Sequence, residues 1–188
     1  MKVNLDPITE SSGNDNMGGF KDVIGFVPAS SVSEVPTLPV ITDASLDADF
    51  VTAAGEFVFK TNGETPKVIV CTEATVKFAS ANQGEIEGQS FAQSGEFFKA
   101  GSSVEVAAFA RQVNNVPGYL ILEDMSGKQI IVGQKGLPCH IKPDYDGGQK
   151  RVDRRGSKFT FACDSVAPII YIASANKIDL DAILNPES

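Results

Sequence analysis

Cys139-His140 is the one place in this 188-residue chain where a thiol and an imidazole adjoin, and His140 is its single histidine. Such a pair could supply a nucleophile and its base, provided that the imidazole can take the thiol proton. Neighbours on an extended chain point to opposite faces, however, and Pro138 beside them reads as a turn. The pair is therefore poorly placed for catalysis. Asp144-Tyr-Asp146-Gly-Gly148 opens like a calcium loop, in which alternate carboxylates converge on one cation. The later bidentate acid is missing, because Gln149, Lys150 and Arg151 follow. The segment reads as a turn, which Asp and Gly both favour. Cys71, Cys139 and Cys163 are odd in number, widely spaced and share no motif. They read as buried free thiols rather than a disulfide framework, as in a chain assembled in a reducing cytoplasm. The expectation is a protein that is not an enzyme and uses no metal or other cofactor.

Charge offers a different chemistry. The chain carries 24 acidic and 16 basic residues, a formal net charge of −8. Tight nucleic-acid binding needs clustered Lys and Arg to neutralise phosphate, so the overall balance argues against it. An acidic surface can instead let a polyanion pass without holding it. One basic cluster stands out: Lys150, Arg151, Arg154, Arg155 and Lys158. It could be a nucleic-acid patch, but no aromatic residues interleave with it. It could be a subunit contact facing the acidic surface of a neighbouring copy. A solvated strand edge is the third reading. The acidic residues Asp43, Asp47 and Asp49, with Glu85 and Glu87, are either simply solvated or the lining of a channel.

The elements that must position these residues are mostly strands. At 188 residues, 42% hydrophobic and 21% charged, the chain is long enough for one domain with a sizeable core. No run approaches the roughly 18 apolar residues of a membrane span. Residues 1–17 read as a polar, mobile arm, lacking the basic start and apolar core of a signal peptide. A single β-rich domain is expected over 18–175, with a tail over 176–188 in which Asp179 to Leu184 forms one or two helical turns. Val23 to Val27 reads as its first strand. Residues 28–55, broken by Pro28, Pro36 and Pro39, form a long loop of the kind that is functional or packed on a partner. Its apolar residues, among them Pro36, Leu38, Val40, Leu46 and Phe50, are candidate assembly contacts.

Gly55 to Lys60, a turn at Asn62-Gly63, and Val68 to Cys71 read as a hairpin. Thr75 to Ala79 and Phe91 to Lys99 follow as strands. The period then changes: Val106, Phe109, Ala110 and Val113 recur at helical spacing, behind a capping box at Ser102 and Glu105. One helix is expected over 103–114. Tyr119 to Glu123 and Gln129 to Val132 form a hairpin across Ser126-Gly127, and Lys158 to Cys163 and Ile169 to Ile172 complete the sheet. The class is mainly β, a two-sheet sandwich or barrel with one helix.

Three stretches carry a family resemblance. They are Gln83-Gly84-Glu85 with Gly88-Gln-Ser-Phe91; the helix Val106 to Asn115; and Asp146 to Lys150, Asp153 to Gly156 and Phe159-Thr-Phe161. In this order, over most of residues 18–173, the chain resembles tail tube proteins of tailed phages infecting Bacteroidetes. The resemblance implies a virion structural protein of the tail, assembled in the host cytoplasm, whose hexameric rings stack into a hollow tube and conduct DNA at ejection. The implied partners are further copies of the chain, other tail or neck proteins, and DNA in transit without specific binding; no membrane is implied. It brings no catalytic residues. In that setting Lys150, Arg151, Arg154 and Arg155 join the assembly contacts, a heterologous interface closing the ring. Two other classes stay open: a head-decoration, neck or tail-terminator protein with a similar sandwich, and a carbohydrate-binding adhesive module. The last would need exposed aromatics for sugar stacking, and the chain has no Trp and three Tyr.

Overall fold

Leu120 to Leu122 and Ile130 to Val132 are apolar at every position rather than at alternate ones, the pattern of strands covered on both faces. The computed structural model describes residues 8, 17–43 and 45–185, and it shows that arrangement. Leu120, Leu122, Ile130 and Val132 enter one hydrophobic cluster, while Tyr119, Ile121 and Ile131 enter a second on the opposite face. The expected arm over 1–17 lies outside the described residues, apart from the exposed Ile8 and Met17.

Twelve strands and two helices are present among the described residues. The first five strands are β1 (Val23–Pro28), β2 (Val32–Glu34), β3 (Thr52–Ala53), β4 (Val58–Phe59) and β5 (Lys67–Val70). β6 (Lys77–Gln83) and β7 (Ser90–Ala100) precede the helix α1 (Val104–Val113). Then come β8 (Pro117–Glu123), β9 (Gln129–Val132), β10 (Cys139–Asp146), β11 (Gly156–Ser165), β12 (Tyr171–Ile172) and α2 (Leu180–Leu184). Ten strands join in one curled sheet and β2 pairs with β4 in a separate ribbon, so the fold is mainly β as expected. The path runs β6-β7-β11-β10-β8, with β1 and β5 continuing beyond β8. Past the end of β5, the Thr72 N–H donates to the Phe98 carbonyl of β7 at 2.8 Å, drawing the two ends of the curl together.

The first cluster fills the inside of this curl. Phe97 and Phe159 stack there with ring centroids 4.9 Å apart. α1 lies across it: Phe109 meets Phe159 and Phe26 edge-on, at 5.6 and 6.4 Å. The helical stripe expected from the sequence is the face that packs, with Val113 buried and Val106, Phe109 and Ala110 half-buried. The helix begins one residue later than expected. Ser103, not Ser102, is the N-cap, its hydroxyl accepting from the Val106 N–H at 3.3 Å.

The second cluster is closed by the irregular parts of the chain. Val32, Phe57, Ala167, Ile170 and Leu180 pack there with Ala53 of β3 and Ile172 of β12, which pair side by side. The expected tail is thus partly structural, since α2 seats Leu180 against β1.

Two local expectations are overturned. Asn62-Gly63 does form a tight turn, with Gly63 at φ +81° and the Glu64 N–H bonded to Thr61 O. Its flanks do not pair with each other: β4 joins β2 and β5 joins β1. Pairing β5 with β1 buries Ile24 and Phe26, a gain that outweighs the local turn preference. Pro138 suggests a turn beside Cys139, and Asp144 to Gly148 reads as another, but residues 139–146 are the strand β10, paired with β11 over most of its length. Here Cys139 and Ile141 point inward while His140 and Lys142 stay outside. No helix among the described residues is long and apolar enough to cross a membrane.

Candidate assembly surfaces

Neither candidate reaction centre assembles. Cys139 is fully buried and His140 exposed, on opposite faces of β10. The Asp146 carboxylate accepts the Gly148 N–H at 2.9 Å, the turn that Asp-x-Gly favours. Among the described residues no group of three or more His, Cys, Asp or Glu is placed to hold a metal ion.

The long loop is a stem with a projecting tip. Thr37 and Ala54 exchange backbone hydrogen bonds of 3.0 and 2.9 Å, closing the loop at its base. Pro36 is buried and Leu38 packs on the second cluster, so these two candidate contacts are used within the chain itself. The other three stand out: Val40 is 88% exposed, Leu46 73% and Phe50 42%. A turn of 3-10 helix, Asp47–Phe50, shapes the tip. The Asp49 carboxylate accepts the Leu46 N–H at 2.8 Å and Asp49 is half-buried, whereas Asp43 and Asp47 are exposed. The tip therefore carries three apolar side chains among acids.

The basic cluster occupies the turn between β10 and β11. The Asp153 carboxylate organises that turn by accepting the N–H groups of Gln149 and Lys150, at 2.9 and 2.7 Å. Lys150, Arg151, Arg154 and Arg155 are all exposed. The Arg154 guanidinium lies 3.7 Å above the Phe98 ring, a cation–π contact that fixes its direction. Lys158 pairs with Glu96 on β7 at 2.7 Å, and this hydrogen bond holds the Glu96 carboxyl below the usual range despite some desolvation.

Glu85 and Glu87 sit in the turn between β6 and β7, both exposed. Register decides where this turn lies relative to the basic one. β7 pairs with β11 from Gly156↔Ala100 to Ser165↔Phe91. The acidic turn precedes the first residues of β7 and the basic turn abuts its last. The two turns are thus at opposite ends of one sheet, separated by the length of an 11-residue strand, roughly 30 Å. Sequence reading identified both charged groups but could not place them on one axis, because that required the β7–β11 register.

Sequence reading also missed a juxtaposition of thiols, since Cys139 was placed in a turn. The period-2 alternation of Cys139-His-Ile-Lys142 was the signal available for it. No protein-family model, curated protein or solved structure matches this chain.

Proposed function

We propose that this protein is a virion structural subunit, the building block of a phage tail tube, in which copies close into rings and the rings stack head to tail. The curled sheet would serve as the two-sheet sandwich or barrel of such a subunit. One observation carries the reading: the exposed basic turn and the exposed acidic turn stand at opposite ends of the same long sheet. A molecule with opposite charges at its two ends is complementary to a translated copy of itself, and a heterologous contact of that kind propagates. The apolar tip of residues 40–50 supports the reading as a lateral contact, since exposed apolar clusters gain by being covered.

Lys150, Arg151, Arg154 and Arg155 meet Glu85 and Glu87 of the next copy. The negative lining of the bore then falls to Asp43, Asp47 and Asp49. Acidic walls keep DNA hydrated and free to slide, whereas a wall of Lys and Arg would hold its phosphates.

Electron microscopy of the purified protein tests this reading, with hollow rods expected at low salt. Reversing Arg154 and Arg155 to Glu should abolish the rods, and adding Glu85→Lys and Glu87→Lys should restore them. Single closed rings without rods would favour a tail-terminator or head-decoration protein. A strictly monomeric wild type at high concentration would refute assembly altogether.

A further inference from the structure

Cys139 and Cys163 lie 24 positions apart in the sequence and side by side in the fold. β10 and β11 pair with His140 opposite Ala162, and one step along that register sets Cys139 directly opposite Cys163. Directly opposed residues of an antiparallel pair have Cα atoms roughly 4.5–5.5 Å apart, inside the range that a disulfide spans without backbone movement. The side chains share the inward face with Ile141 and Phe161, at the end of the first cluster. Both thiols are free in the structure.

The two differ in access. Cys139 is fully buried, whereas Cys163 is half-buried. The Cys163 S–H donates to Gln93 Oε1 at 3.5 Å, and Gln93 is itself held by donating to the Ala167 carbonyl at 3.2 Å. The Cys139 thiol and the Gly133 N–H point at the Cys163 sulfur and hold its pKa below that of an ordinary thiol, against its partial burial. That same thiol–thiol contact, together with burial, pushes Cys139 up. Cys163 is therefore both the less buried and the more easily ionised of the two opposed thiols.

We propose that Cys139 and Cys163 form a reversible disulfide site, with Cys163 as the thiol that reacts first with small-molecule disulfides. The Cys163 thiolate attacks one sulfur of a disulfide such as oxidised glutathione. A Cys163–glutathione bond forms, the glutathione disulfide bond breaks, and one glutathione thiolate leaves and takes up a proton. Cys139 then gives up its proton and attacks Cys163 Sγ, expelling the second glutathione. Two protein thiols are oxidised and one small disulfide is reduced to two thiols. The bond staples β10 to β11 at the root of the hairpin that carries the basic turn. It closes a loop through residues 139–163, which removes conformational freedom from the unfolded chain. Cys71 takes no part: burial, with the Asp22 carboxylate adding to it, pushes that thiol up to about 12.

The test uses the full-length protein, reduced and then equilibrated natively with mixtures of oxidised and reduced glutathione. Samples are alkylated, unfolded, alkylated again with a second reagent, and mapped by mass spectrometry. The expected map shows a peptide joining Cys139 to Cys163, with Cys71 labelled only after unfolding. The oxidised protein should melt about 5–10 °C higher than the reduced one. Cys139→Ser should accumulate one glutathione on Cys163, whereas Cys163→Ser should take none on Cys139. Three alkylatable thiols at every glutathione ratio would overturn the site, as would a link through Cys71. Glutathione trapped on Cys139 in the Cys163→Ser protein would overturn the order of attack. The wild-type map decides the site even if a variant fails to fold.

Discussion

The Lys177 ammonium lies 3.0 Å from the Glu123 carboxylate, tying the segment before α2 to the end of β8. Lys21 pairs with the same oxygen from the segment before β1, and Gln129 Nε2 donates to the other oxygen at 3.2 Å. Three distant parts of the chain converge on one carboxylate whose side chain is 8% exposed. Burial alone would raise the Glu123 pKa, but the hydrogen bonds from Lys21, Lys177 and Gln129 outweigh it and hold the group below its usual value.

That balance predicts a pH dependence. A carboxyl whose folded pKa is lowered contributes stability above its unfolded value, about 4.3, and loses it as pH falls through the folded value. Glu123→Gln should cost about 1–2 kcal/mol near neutral pH, discounted because both lysines are partly exposed. The difference from wild type should shrink below about pH 4. Urea unfolding of both proteins across that range checks it, and a pH-independent difference would contradict the pairing.

Two phenylalanines should differ in weight although they touch. Phe159 is 1% exposed and stacked on Phe97, so Phe159→Ala should cost about 3–5 kcal/mol. Phe109 is only half-buried under α1, at the wall of an apolar cleft formed with Val68, Ile69 and Val70. Phe109→Ala should cost about 2–3 kcal/mol, less than a fully enclosed aromatic. Equal costs in chemical denaturation would mean that the helix closes over Phe109 in solution.

Gly95 sits where β6, β7 and β11 run together, and a Cβ there would collide with the Lys77 carbonyl and the Phe161 ring. A backbone carbonyl cannot swing aside as a flexible side chain can. Gly95→Ala should therefore destabilise by about 2–3 kcal/mol. Gly18→Ala, with nothing within 4 Å of the added methyl, should stay within about 0.5 kcal/mol of wild type. Thermal melts of the pair separate overpacking from a general effect of adding a methyl group.

The tip of the long loop offers the sharpest separation of assembly from stability. Val40, Leu46 and Phe50 are exposed, so replacing all three with Ser should leave the unfolding free energy within about 1 kcal/mol of wild type. Sedimentation should nevertheless show loss of higher assemblies. A triple variant that polymerises normally would remove the tip from the interface.

Several elements were legible from local pattern alone. The β8–β9 hairpin follows from two apolar runs and a turn in which the Asp124 carboxylate accepts the N–H groups of Ser126 and Lys128. α1 follows from its stripe of Val106, Phe109, Ala110 and Val113. β7 and β11 follow from their length and alternation. Of the proposed contact residues, the exposed basic cluster and the loop tip were recognisable by composition, but Pro36 and Leu38 could not be told from their exposed neighbours.

What sequence by itself determined, then, was the class of each strongly patterned segment, since periodicity and turn chemistry act over a few residues. Tertiary structure alone decided which segments meet. β5 leaves the turn at Asn62-Gly63 to pair with β1, and β10, despite Pro138 before it and Pro143 within it, pairs with β11. Pro36 turns inward on one side of a loop whose other side projects. Each outcome is settled by burying apolar surface between residues distant in sequence, a term that no local window contains. The same pairing brings Cys139 to Cys163 and sets acidic and basic turns at opposite ends of one sheet.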